Sequence, residues 1–94
     1  MSDDGSNRYY PNRAQGGVAA TIRDARFTPV RFVPGYDMGE VDQLLDRLVE
    51  ALDAGRPVRS TIARAVFTAT RFREGYRRAD VDALLAEVAR VARA

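Results

Sequence analysis

Two aspartates at matching places, Asp42 and Asp82, are the side chains that most readily suggest chemistry in this 94-residue chain. A pair of carboxylates can divide the work of a general acid and a general base. The sequence has no histidine, no cysteine and no glycine-rich phosphate loop, so the usual imidazole bases, thiol nucleophiles and thiolate zinc ligands are missing. We therefore expect no enzymatic activity, no metal site and no cofactor. The two aspartates are better explained by the first turn of a helix, or by ion pairs with Arg31 or Arg71.

A cluster of arginines surrounds one phenylalanine in the stretch RFREGYRR, which contains Arg71, Phe72, Arg73, Arg77 and Arg78. Guanidinium groups beside an apolar ring can bind the phosphates of lipids or of nucleic acids. A solvated, self-repelling cluster, with the ring packed on its own helix, explains the same residues without a ligand. Charge is unevenly distributed, because residues 1–58 hold seven Arg and nine acidic residues whereas residues 59–94 hold eight Arg and four. The second part is the better candidate for an anionic partner.

The same segment occurs earlier in the chain as RFVPGYDMGEVDQLL, so that Arg31 and Phe32 match Arg71 and Phe72. Residues 21–46 and 61–86 share thirteen identities in twenty-six positions. A repeat of this length is one supersecondary unit used twice, usually because a single copy cannot cover its own apolar face. We divide the chain into a disordered tail rich in Gly, Asn, Ser and Asp (1–17), copy one (18–55) and copy two (56–94).

Each copy is predicted to form a short helix, a loop and a longer helix. Asp37 and Glu40 make a capping-box pattern at the start of the first long helix, and Gly55 is placed to end it. Apolar residues recur along both long helices at the spacing of one helical stripe. They are Val41, Leu44, Leu45, Leu48 and Leu52 in copy one and Val81, Leu84, Leu85, Val88 and Ala92 in copy two.

The loop between the helices carries a Gly-Tyr pair in each copy. Gly35 and Gly75 are expected to take positive φ, and Tyr36 and Tyr76 are expected to lay their rings over the turn. The two apolar stripes are predicted to pack together as a short coiled coil, parallel or antiparallel. The predicted fold is therefore all-α, with two tandem short-helix, loop, long-helix units forming a pseudo-symmetric pair.

The repeated segment resembles the N-terminal module of the DivIVA family, whose hallmark is a loop ending in Gly-Tyr-Asp followed by a helix with a Glu-Val-Asp or Glu-Val-Asn start. The resemblance covers about residues 21–54 and 60–93. Copy two keeps Gly75, Tyr76 and Asp82 but has Arg77 where copy one has the capping aspartate. The residues that carry the resemblance in copy one are Phe27, Arg31, Phe32, Gly35, Tyr36, Asp37, Val41, Asp42, Leu44 and Leu45.

This resemblance implies an all-helical module in a bacterial scaffold of cell division or polar growth, located on the inner face of the membrane. It also implies that the loops, paired in a parallel dimer, present an apolar and a basic side chain to lipid. Two departures limit the comparison: the long coiled coil of those scaffolds is missing, and copy one has Val33 and Pro34 beside its loop tip. Lipid contact is therefore better supported for copy two.

We expect a small non-enzymatic adaptor or scaffold in bacterial cell division or polar growth. Its expected partners are a division or polarity protein or an anionic inner membrane surface, with self-association as a further option and no small-molecule substrate. A small arginine-rich nucleic-acid-binding protein is the alternative, although the net charge of +2 and the lack of a known binding motif count against it. Because no apolar run approaches about 20 residues and no signal-peptide pattern is visible, we expect a cytoplasmic location, peripheral to the inner face of the cell membrane.

Overall fold

The computed structural model describes residues 13–92, which form four helices and four short strands. In chain order these are α1 (Arg13–Asp24), β1 (Pro29–Val30), β2 (Gly35–Tyr36), α2 (Met38–Asp53), α3 (Arg59–Ala63), β3 (Ala69–Thr70), β4 (Gly75–Arg77) and α4 (Arg78–Val91). Residues 1–12, most of the predicted tail, lie outside the described residues, and α1 begins at Arg13 rather than at Val18. Both copies therefore follow the same order of helix, strand, strand and helix.

The four strands form one antiparallel sheet in the order β1-β4-β2-β3. The all-α prediction is therefore wrong, and the fold is α+β. The strands come from the segment that the sequence analysis assigns to a loop in each copy. Each strand has only two or three residues, too few to show the alternation of apolar and polar side chains by which a strand is recognised.

Each copy pairs its strands with the other copy and not with itself. In the central pair, β2 of copy one lies against β4 of copy two, with Tyr36 opposite Tyr76. On the flanks, β1 pairs with β4 and β3 pairs with β2, so that Pro29 lies opposite Tyr76 and Ala69 opposite Tyr36. The two flanking pairs are equivalent, because Ala69 lies forty residues after Pro29 and Tyr36 lies forty residues before Tyr76. The sheet therefore has a pseudo-two-fold axis at the central tyrosine pair, and each strand connection crosses a strand of the other copy.

Helix α2 begins where the sequence predicts and ends just before the predicted glycine. Asp37 is its N-cap, and the Asp37 carboxylate accepts a hydrogen bond from the Glu40 backbone N–H at 2.9 Å. Gly55 follows the helix with a φ of +72°, a conformation that favours glycine. Helix α4 has no side-chain cap, because Arg77 occupies its N-cap position and pairs with Asp80 at 3.5 Å.

One apolar core joins helices of both copies. Helix α1 is the main helical neighbour of α2 and also contacts α4, while α3 contacts α4. The long helices share this core with the short ones, and the predicted coiled coil is wrong. Leu45 and Leu84, expected to be buried between the stripes, are only half-buried. The buried members are Val18, Ala19, Ile22, Val41, Leu44, Leu48, Leu52, Val58, Val81, Leu85, Val88 and Ala92.

The prediction that Gly35 and Gly75 take positive φ is wrong, because neither glycine has a positive φ. Both glycines are needed instead for the close packing of the strands. A Cβ at Gly35 would lie 2.9 Å from the carbonyl oxygen of Tyr76, and a Cβ at Gly75 would lie 2.8 Å from that of Tyr36. A Cβ at either glycine would also press on the buried side chain of Thr70. The strands of the two copies can approach this closely only because these positions have no side chain.

Gly75→Ala should therefore destabilise the protein by about 1–3 kcal/mol, the usual effect of overpacking. Gly39→Ala is the matched control, because Gly39 is exposed at the start of α2 and an added Cβ would meet only the Asp37 carboxylate at 3.4 Å. Alanine is the better helix former, so this control should gain up to about 1 kcal/mol. Urea unfolding measures both changes. A Gly75→Ala protein as stable as the wild type would show that the central strands are not limited by close packing.

Candidate functional site

The loops that connect β1 to β2 and β3 to β4 meet each other. The Phe32 backbone N–H donates a hydrogen bond to the Arg71 carbonyl oxygen at 3.1 Å. Phe32 is 73 % exposed, Phe72 is 78 % exposed and Val33 is 52 % exposed. Both rings therefore face solvent, and the alternative in which each packs on its own helix does not hold. We call Arg31, Phe32, Val33, Arg71 and Phe72 the tip surface.

The backbone of Phe32 lies in the left-handed region, with a φ of +69°. For a residue with a bulky side chain, this backbone conformation costs about 1–2 kcal/mol of conformational energy. Phe72, at the matching place in copy two, does not share it. The chain thus keeps an exposed aromatic side chain on a strained backbone, and backbone strain of this kind is concentrated at functional sites.

The predicted arginines fall into two groups. Arg73 pairs with the Asp37 carboxylate at 3.0 Å, and Arg77 pairs with Asp80. These two arginines are partly neutralised inside the molecule, although their side chains remain more than half exposed. The exposed arginines of the two loop regions that form no ion pair within residues 13–92 are Arg31, Arg71 and Arg78.

Asp42 and Asp82 hold the tyrosines of the sheet. The Tyr36 hydroxyl donates a hydrogen bond to Asp82 at 2.8 Å, and the Tyr76 hydroxyl donates one to Asp42 at 2.8 Å. Each bond joins one copy to the other, so the predicted partners, an arginine or the helix dipole, are replaced by a tyrosine. The bond to Asp82 and burial raise the pKa of Tyr36, while burial and then the bond to Asp42 raise the pKa of Tyr76. The two carboxylates thus have structural roles in separate hydrogen bonds.

A second set of crossed hydrogen bonds supports the same sheet. The Thr28 backbone N–H donates to Asp80 at 2.8 Å, and the Thr68 backbone N–H donates to Glu40 at 2.6 Å. The carbonyl of each threonine accepts a bond from the residue that follows the sheet tyrosine of the other copy. Sequence reasoning missed these residues, although the Phe-Thr pair common to both copies was a signal that could have suggested them. Sequence reasoning assigned Glu40 only to the capping box of its own helix.

The described residues contain no helix that is both long and apolar enough to cross a membrane. Within residues 13–92, no group of three or more His, Cys, Asp or Glu side chains could hold a metal ion. Comparisons with protein-family models, with curated proteins and with solved structures find no match to this chain. The function must therefore be argued from the tip surface and from the contacts that hold it.

The crossed tyrosine bonds predict a specific pattern of energetic coupling. Tyr36→Phe should cost about 0.5–1.5 kcal/mol, a reduced value for a partly exposed bond to a charged acceptor. Because the acceptor is Asp82, Tyr36→Phe and Asp82→Ala should be non-additive in a double-mutant cycle measured by urea unfolding. Tyr36→Phe and Asp42→Ala are the matched control and should add. Coupling to Asp42 in place of Asp82 would mean that each tyrosine bonds within its own copy.

Stability should also fall in acid because of Asp37 and Asp80. The bond from the Glu40 N–H, aided by Arg73, lowers the pKa of Asp37, and the bond from Thr28 lowers the pKa of Asp80. Folding therefore favours the ionised carboxylates, and this contribution is complete above their ordinary value of 3.8 and lost as pH falls through the lower folded-state values.

Thermal unfolding at neutral pH and at about pH 2.5 tests this dependence. The Asp37→Asn, Asp80→Asn double variant should start from a lower melting temperature and lose less of it on acidification than the wild type. Asp46→Asn, an exposed change on α2, is the control and should follow the wild type. Equal losses in all three proteins would assign the acid sensitivity to other groups.

Proposed function

We propose that this protein is a non-enzymatic adaptor that binds an anionic membrane surface through the tip surface. The observation that supports the proposal best is the exposure of two phenylalanine rings on adjoining loops, beside arginines that form no ion pair within residues 13–92. A soluble monomer gains nothing from leaving Phe32 and Phe72 exposed, whereas a lipid surface can accept both the rings and the guanidinium groups.

The energetics fit weak, reversible attachment. Full transfer of a phenylalanine side chain from water contributes about 1.5–3 kcal/mol, and a basic residue near an anionic leaflet contributes about 1 kcal/mol. Two rings with Arg31 and Arg71 must also offset the loss of translational and rotational freedom on binding. One chain should therefore bind weakly and lose affinity as salt screens the arginines.

The cellular setting of the proposal comes from the resemblance of RFVPGYD and RFREGYRR to the loop motif of the DivIVA module. On that basis we propose a role in bacterial cell division or polar growth, at the inner face of the cell membrane. The tandem repeat supplies both loops in one polypeptide, so that a single chain carries the paired tip that the resemblance assigns to a dimer. Arg31 and Arg71 are better candidates for lipid contact than Arg77, which is engaged by Asp80.

Co-sedimentation with vesicles that contain phosphatidylglycerol tests the proposal. The wild type should bind at low salt and much less in about 0.5 M salt, where the Debye length is only a few Å. Phe32→Ser with Phe72→Ser should reduce binding at least about tenfold, because two apolar anchors are lost. Arg71→Glu should also reduce it, by reversing a charge at the surface.

Two controls separate tip contact from general changes in charge or apolarity. Arg56→Glu makes the same charge change beyond the end of α2, about 24 Å along the helix from the sheet, and Val91→Ser removes an exposed apolar side chain at the end of α4. Both should bind vesicles like the wild type. A wild type that ignores anionic vesicles at low salt would reject lipid as the ligand; a mobility shift with DNA at the same salt would then support the nucleic-acid alternative.

A further inference from the structure

A groove of about 500 Å³ lies between α2 of copy one and the residues that end α3 in copy two. Arg47 and Arg64 flank it, and both are exposed and form no ion pair within residues 13–92. Glu40 also lines it, but its carboxylate already accepts two hydrogen bonds from Thr68. Val66, in the same groove, is 87 % exposed. We call this the basic groove.

The pseudo-two-fold axis relates the basic groove to a surface between α4 and the end of α1, and these helices contact each other. Here Glu87 stands at the position of Arg47, and Asp24 stands at the position of Arg64. Both acidic residues are exposed. The sign of the charge is therefore inverted at both flanking positions between the two halves of one molecule. We call the surface that contains Asp24, Ala83 and Glu87 the acidic face.

Neighbouring cations neutralise the acidic face only in part. Arg26 donates to the carbonyl oxygens of Asp24 and Ala25 at the end of α1, and not to the Asp24 carboxylate. Arg90 pairs with Glu87 at 2.6 Å, so Glu87 is partly neutralised although its side chain remains exposed to solvent. Arg77 pairs with Asp80 at the far end of the same helix. Asp24 forms no ion pair within the described part of the chain.

The basic groove and the acidic face each combine charges of one sign, because each surface is formed by elements of both copies. Arg47 and Arg64 come from different copies and line one groove. Asp24 and Glu87 also come from different copies, and the pseudo-two-fold axis relates them to Arg64 and Arg47 on α1 and α4, two helices that contact each other. Neither pair stabilises the monomer, since like charges repel. The two surfaces are complementary to each other in charge and, being related by the pseudo-two-fold axis, share the same backbone framework. Val66 projects from the basic groove, whereas on the acidic face Arg26 holds the corresponding position and the small Ala83 replaces Gln43.

We propose that the basic groove of one chain binds the acidic face of a second copy of this chain. The contact is heterologous, so a dimer keeps one unused basic groove and one unused acidic face, and association can continue along an open chain. None of the residues involved belongs to the tip surface, so this proposal and the proposed membrane binding can fail separately. Where both hold, several tips in one assembly would convert weak lipid contacts into stable attachment.

Sedimentation equilibrium of the full chain tests the proposal directly. At low salt the weight-average mass should rise above the 10.4 kDa of one chain as concentration increases. In about 0.5 M salt it should return to that of a monomer, because exposed charges are then screened. A wild type that remains monomeric at about millimolar concentration and low salt, or an oligomer that is unchanged by high salt, would overturn the proposal.

A charge-exchange pair gives the sharper test, because each flanking residue is replaced by its counterpart from the other copy. The first variant is Arg47→Glu with Arg64→Asp, and the second is Asp24→Arg with Glu87→Arg. All four positions are exposed, and circular dichroism checks that both variants fold. Each variant alone has two surfaces of the same sign, so its self-association should weaken about tenfold or more.

An equimolar mixture of the two variants should associate again, since every acidic surface of the first now meets a basic surface of the second. Recovery in the mixture is the result that a merely destabilising substitution would not give. If each variant associates like the wild type, or if the mixture stays monomeric, the basic groove and the acidic face do not bind each other. Val66→Ser should weaken association of the wild type and leave its salt dependence in place.

Discussion

The antiparallel pairing of β2 with β4, in which Tyr36 faces Tyr76, is the contact on which the rest of the structure depends. Strands of two or three residues are not stable alone, and neither copy pairs its own strands. Every further contact of the sheet repeats this exchange. Tyr36 bonds to Asp82 and packs on Phe67, and the equivalent residues of the other copy do the same in reverse, with ring centroids 4.9 Å apart in both cases. The folded unit is therefore the pair of copies.

This exchange explains which residues the two copies share and which they do not. Residues that reach across the axis are alike in both, as with the Phe-Thr and Gly-Tyr pairs and the helix aspartate that receives the tyrosine. The exposed pairs Arg47 and Glu87 and Asp24 and Arg64 have diverged, whereas the exposed Arg-Phe pair of the tip surface is the same in both copies. Inside the sheet, Val30 corresponds to Thr70, whose hydroxyl is buried without a hydrogen bond within the described residues. Identity between the copies thus marks the contacts of the axis and the Arg-Phe pair of the tip surface, while difference marks the basic groove and the acidic face.

Sequence reasoning recovered what depends on neighbours along the chain. The repeat, the start of α2 at Asp37, its end before Gly55 and the buried residues Val41 and Leu48 all follow from local spacing. The sheet did not, because a two-residue strand has no pattern and its partner lies about forty residues away. Gly35 and Gly75 were recognised as special for the wrong reason, since a close backbone approach and a positive φ both select glycine.

The candidate site could be predicted only in part, because several of its contacts join residues that are far apart in the sequence. Loop composition identified Phe72 and its arginines, but composition could not tell that Arg73 and Arg77 are engaged by Asp37 and Asp80. Nor could it place the loop of copy one, with Phe32 at positive φ, against the loop of copy two. Those arrangements are tertiary, and they decide which charges remain for a partner.

Joining the copies in one chain permits a charge arrangement that a symmetric dimer of either copy would lack. Two molecules of copy one, crossed in the same way, would place Asp24 beside Arg47 in both grooves, and two molecules of copy two would place Arg64 beside Glu87. Either dimer would neutralise its own grooves. Because the chain pairs two unlike copies, Arg47 and Arg64 line one groove, and the pseudo-two-fold axis relates these two arginines to Glu87 and Asp24. Charges that would form ion pairs within either symmetric dimer are therefore exposed on two surfaces of opposite sign. Only a second molecule can pair with them there.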